Sequence, residues 1–179
     1  MVYPDIWVDN NLHQLHWDAR IFACDRDIEA LRRWHDHALL LSSDTDCLSL
    51  WDRDGLIRLT RVGVYPQDMT IRDDLAYVCG GADGALHLLH LPDLQSIATY
   101  HLPGLPERIC LHLDTAYILS LLTEPEVHTL LITLNIPSGQ FRHVQRFAGI
   151  PEAITADERG LWIDVSEGVT RLHWPDLQA

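Results

Sequence analysis

Lysine is missing from the chain altogether: its 13 basic residues are all arginines, set against 26 acidic residues for a formal net charge of −13. Without lysine there is no Schiff-base nucleophile and none of the usual lysine phosphate anchors. So large a negative surplus also argues against nucleic acid, whose binding rests on a basic surface that releases counterions. Long apolar runs are lacking too. No stretch approaches the ~18 uninterrupted apolar residues of a membrane helix, and the opening MVYPDIWVDNN has no basic region followed by an apolar one. The expectation is a cytoplasmic protein with no membrane partner. Cysteine is sparse: Cys24, Cys47, Cys79 and Cys110 stand singly, with no C-x-x-C pair to make a zinc knuckle or a redox motif. They read as small buried apolar residues. There is no G-x-S-x-G elbow for a nucleophilic serine. Nor is there a D-x-D-x-D-G calcium loop, of which Asp44-Thr45-Asp46 is only a fragment.

What remains is an ordinary globular composition, 47% apolar and 22% charged, in 179 residues. That length suits one domain, residues 1–179, burying roughly 70% of its unfolded surface. Within it three stretches align: Ile28 to Val62, Met69 to Tyr100 and Ile109 to Phe147, with a fourth start at Ile154. Each runs short strand, polar turn, strongly apolar strand, acidic or glycine loop, third strand, tight turn, fourth strand. In the second stretch the strands fall near MTIR, LAYVCG, ALHLLHL and SIATYHL, with turns at Asp73-Asp74, Ala82-Asp83-Gly84 and Pro92-Asp93. The ends carry fragments of the same unit. Trp7 aligns with Trp162, and Leu15-His16-Trp17 with Leu172-His173-Trp174; the PDLQ turn at Pro92 recurs at Pro175. The reading is an all-β chain of three complete four-stranded units (27–64, 65–104, 105–149) flanked by incomplete ones at 1–26 and 150–179, the first lacking its first strand and the last lacking its fourth.

A period of 40 to 45 residues with four strands per unit, and Leu50-Trp51-Asp52 closing a third strand, resembles the WD-repeat and YVTN-like β-propeller superfamily. The likeness rests on patterning, since one unit carries Trp-Asp and the usual Gly-His is missing. It implies a propeller or partial propeller, with first strands lining an axis and two sets of loops clustered on one face. On that face the resemblance would place Asp25, Asp27, Asp44, Asp46, Asp68, Asp83, Glu124, Glu126, Glu152 and Glu167, with Arg26 and Arg108 as the main cations.

Three readings of that rim compete: solubilising turns, a binding face for a basic protein or peptide, or a divalent-cation site of the propeller lactonase kind serving a metal-dependent hydrolase. His35 and His37 add a further metal candidate, because residues two apart on a strand share a face. No cofactor is otherwise implied. The six tryptophans recur at equivalent positions, which suits packing between units. At exposed ends, Trp7, Trp17, Trp162 and Trp174 would instead form an apolar seam. An open arc leaves such ends uncovered, so pairing of two copies end to end into a larger ring is expected. The first expectation for function is a non-enzymatic scaffold that self-associates and shows an acidic face to a partner; the alternative is the hydrolase.

Overall fold

The computed structural model describes residues 5–177. Their 18 strands form five antiparallel sheets, each a meander in chain order. The first sheet has three strands, β1 (Ile6–Asp9), β2 (Gln14–Trp17) and β3 (Arg20–Ala23). Three four-stranded sheets follow: β4 (Ile28–Trp34), β5 (His37–Ser42), β6 (Cys47–Asp52) and β7 (Gly55–Arg61); β8 (Asp68–Arg72), β9 (Leu75–Cys79), β10 (Ala85–His90) and β11 (Gln95–His101); β12 (Leu105–His112), β13 (Thr115–Leu122), β14 (His128–Asn135) and β15 (Gln140–Ala148). The last has β16 (Pro151–Asp157), β17 (Gly160–Val165) and β18 (Gly168–His173), and a single helical turn, α1 (Trp174–Leu177), ends the described chain.

The turns are made by short polar side chains. Asp52 Oδ1 accepts the amides of Asp54 (2.7 Å) and Gly55 (3.1 Å), and Asp157 Oδ1 does the same for Arg159 (2.7 Å) and Gly160 (3.0 Å). Each is an aspartate folding the backbone around its own carboxylate.

Four core clusters hold the sheets together, and each spans two successive sheets. Leu15 and Trp17 meet Ala38, Leu40 and Trp51; Leu39 and Leu41 meet Met69 and Val78; Leu86 meets Ile118 and Ile132; Leu119 and Leu131 meet Leu161 and Ile163. Because the three middle sheets are covered on both faces, their second strands are buried along nearly their whole length, β5 and β13 most plainly. This explains continuous apolar runs where a half-exposed strand would alternate. The strands β4, β8, β12 and β16 lie side by side, while β7, β11 and β15 form the exposed rim. Sheets stacked about a common inner edge are the blades of a β-propeller, and no core cluster among the described residues joins the first blade to the fifth. The architecture is a partial propeller of three complete and two three-stranded blades. No helix is long and apolar enough to cross a membrane among the described residues.

The sequence reading and the structure part at small points. The second PDLQ, expected as a turn, enters the helical turn α1, with Gln178 outside the described residues. His35 is not on a strand: it has φ of 51° in the turn between β4 and β5. Its ring and that of His37 lie around Trp34, at centroid distances of 5.0 and 5.3 Å.

Candidate functional site

Related tetrapeptides lie at or across the starts of the four inner strands: Ile28-Glu29-Ala30-Leu31, Pro66-Gln67-Asp68-Met69, Pro106-Glu107-Arg108-Ile109 and Pro151-Glu152-Ala153-Ile154. In three of them the pairing register skips one residue, between Ile28 and Ala30, Pro106 and Arg108, and Pro151 and Ala153. The skipped residue is a glutamate each time. A bulge of this kind re-aims a side chain, and it sets Glu29, Glu107 and Glu152 at equivalent positions near the inner edge. Arg108 and Glu152, expected on loops, belong to strands because the bulges in β12 and β16 carry pairing beyond the apolar pattern, and Asp68, also expected on a loop, is the first residue of the unbulged β8.

An axial cleft of about 300 Å³ is lined by Glu29, Arg32, Gln67, Asp68, Arg108 and Glu152, with Ala153 and Ile154. Asp68 is the best-held group in it. Its side chain is 14% exposed and pairs with Arg32 at 2.8 Å. It also accepts the amides of Met69 (2.8 Å) and, from the next blade, Ile109 (3.1 Å). Burial lifts its carboxyl above the ordinary value, against the pull of Arg32 and the two amides. Burial raises Glu107 likewise. Arg108 is fixed through main chain: Nε donates to the Glu152 carbonyl (2.6 Å) and Nη1 to that of Glu107 (2.8 Å). Polar bonds thus cross from β4 to β8, β8 to β12 and β12 to β16 at one end of the axis.

Several of the acids expected on the loop rim have structural duties. Asp25 accepts from Thr45 (3.0 Å), Asp46 from the Tyr65 amide (2.7 Å), and Asp83 from the Ala85 amide (3.1 Å) while pairing with His87 at 2.8 Å. Asp27, Asp44, Glu124, Glu126 and Glu167 are exposed. Cys79 is buried and Cys110 half-buried; burial raises both thiols, Cys110 to about 12, so they stay protonated and inert.

The four tryptophans of the expected seam divide into two pairs. Trp7 and Trp162 lie on the outward faces of the end blades, 45% and 40% exposed. Trp7 stacks on His16 at 3.7 Å, beside the exposed Ile21. Trp162 lies under the Arg171 guanidinium at 4.6 Å and donates to Asp157 (3.0 Å). The Trp162 N–H, the Arg159 amide and Arg171 hold Asp157 down to about 2. Trp17 and Trp174 point elsewhere. Strand alternation turns Trp17 with Leu15 into the first inter-blade core, where it is 2% exposed. Trp174 packs beside the last core, stacked on His112 at 3.9 Å.

Sequence reasoning passed over Glu29, Arg32, Gln67 and Glu107. The signal was present in the recurring Pro-Glu/Gln-x-Ile/Met at 66, 106 and 151, which the alignment of apolar runs placed in loops. No family model and no curated protein sequence matches the chain. Solved structures do. Streptogramin B lyase aligns with TM-score 0.76 at 12% identity over 97% of this chain, and Kuenenia stuttgartiensis hydrazine synthase with 0.74 at 13% over 96%; the chain spans 63% of each. The computationally designed Ika4 protein aligns with 0.68 at 14% identity, over 82% of this chain and 90% of that one. At such identities the likeness concerns the fold alone, and it agrees with the partial propeller described above.

Proposed function

We propose that the protein is a non-enzymatic interaction scaffold whose copies join through the outward faces of their first and last blades, leaving the acidic loop rim to receive a basic protein or peptide. The observation that carries this reading is the pair of uncovered end faces, each centred on an exposed tryptophan. Elsewhere every blade face is covered by apolar packing from the next blade. The end faces differ in kind: Trp7 with His16 on one and Trp162 with Arg171 on the other are aromatic and cationic pairings of the sort that interface centres favour. The exposed acids Asp27, Asp44, Glu124 and Glu126 suit a basic partner, with no exposed lysine to oppose it. The finer likeness to WD repeats rests on Trp51, whose indole donates to Ser49 (2.8 Å), and on Asp52 in its turn.

The hydrolase alternative lacks a donor set: among the described residues no three His, Cys, Asp or Glu side chains gather closely enough to share an ion. Sedimentation velocity tests the scaffold. The wild type is expected at twice its chain mass of 20.4 kDa, and Trp162→Glu at once that mass with an unchanged far-UV spectrum. A wild type that stays monomeric at every soluble concentration refutes self-association.

A further inference from the structure

We infer that the axial cleft binds a small zwitterion of the amino-acid class, with Arg108 taking its carboxylate and the Glu29 and Glu152 carboxylates its ammonium group. The cleft holds charges that its own partners do not cancel. Asp68 and Arg32 neutralise each other at 2.8 Å. Arg108, by contrast, makes no ion pair within 4 Å of a carboxylate among the described residues, its charge reaching Asp68 and Glu107 only over a longer distance. Two of its nitrogens are spent on the carbonyls of Glu107 and Glu152, which fixes the guanidinium plane, so the remaining Nη2 edge is presented with little conformational freedom left to lose. Fixing a guanidinium by neutral carbonyls leaves its positive charge in place. A carboxylate oxygen is the acceptor that a charged N–H donor of this kind holds best.

The same cleft is lined by Glu29, whose Oε1 takes a bond from Ser43 (2.7 Å), and by Glu152, whose main chain is engaged with Arg108. With Asp68 already matched, these two negative groups face one positive group across a cavity of about 300 Å³, the lower end of the range for ligand pockets. A lone carboxylate would be repelled by the glutamates. A lone cation would be repelled by Arg108. A molecule carrying both charges a few atoms apart satisfies the wall, and its size matches the space. This inference stands apart from self-association, because the cleft lies on the axis and the seam residues on the end faces.

Isothermal titration with L-arginine, L-alanine and their α-carboxamides tests it. At least one free amino acid is expected to give saturable heat, and its carboxamide, lacking the carboxylate, to bind roughly tenfold or more weakly. Arg108→Gln should lose affinity to a similar degree. Glu152→Gln should weaken binding too, although its main-chain carbonyl still holds Arg108, and exposed Arg159→Gln should change nothing. The carboxamide comparison uses unaltered protein, so it decides even if Arg108→Gln fails to fold. Binding should survive in Trp162→Glu, which separates this test from that of the seam. Absence of saturable heat from both amino acids, equal affinity for the carboxamides, or unchanged affinity in Glu152→Gln overturns the inference.

Discussion

A β-carbon on Gly80 would stand 2.2 Å from Oδ1 of Asp83 and 2.8 Å from Nε2 of His87. Gly63 is under similar pressure, its β-carbon falling 2.9 Å from the Gly80 α-carbon and 3.1 Å from the same imidazole nitrogen. Two glycines thus open the space in which Asp83 and His87 meet, and Thr99 Oγ1 lies 3.3 Å from the other ring nitrogen. The pair braces the loop between β9 and β10, which in turn bonds to its neighbours through Ala82 N to Val64 O (2.9 Å) and Gly81 N to Pro106 O (3.2 Å). Gly80→Ala should therefore lower stability by roughly 1–3 kcal/mol, the usual cost of forcing volume into a filled site. A urea unfolding midpoint reads it; an unshifted midpoint would mean that the loop yields freely. None of this was legible in the sequence. Asp83 could be placed on the rim from its loop, yet its partner four residues on could not be read, because the pairing depends on how β10 leaves the turn.

At the scale of the strand, legibility followed burial. The second and third strands of each blade announce themselves, since packing on both faces demands the unbroken runs seen in LAYVC and HALLL. Of the inner strands, β4 starts at the expected Ile28 and β8 one residue before Met69, whereas β12 and β16 start four and three residues before Ile109 and Ile154, because their opening residues carry no regular apolar pattern. The end strands exposed a different ambiguity. Trp7 and Trp17 sit on paired strands ten residues apart, and composition treats them alike; register separates them, Trp7 opposite His16 and Trp17 opposite Ile6. Trp17→Ala should cost about 3–5 kcal/mol, as aromatic deletions in cores do. Trp7→Ala should cost under about 1 kcal/mol when measured in dilute solution, where copies are apart. Equal losses in chemical denaturation would place both residues in one core and remove Trp7 from the seam.

For the whole molecule, the arc behaves as a short one-dimensional array in which each blade is stabilised by its neighbours. The three middle blades have two neighbours and the end blades one, so local opening should cost least at the ends. Amide exchange ought to show this as a gradient, slowest in β9 and β13 and faster in β2 and β17. Self-association adds a neighbour to each end blade and nothing to the middle ones. Raising protein concentration should then slow exchange in β2 and β17 while leaving β9 and β13 unchanged, and Trp162→Glu should abolish the concentration effect at both ends, because the two faces meet in one seam. A gradient that ignores concentration would mean that the end faces remain in solvent. Slowing confined to β7 or β11 would instead place the contact on the outer rim, where Leu56, Leu59 and Ile97 are also exposed, and would join the blades edge to edge rather than face to face.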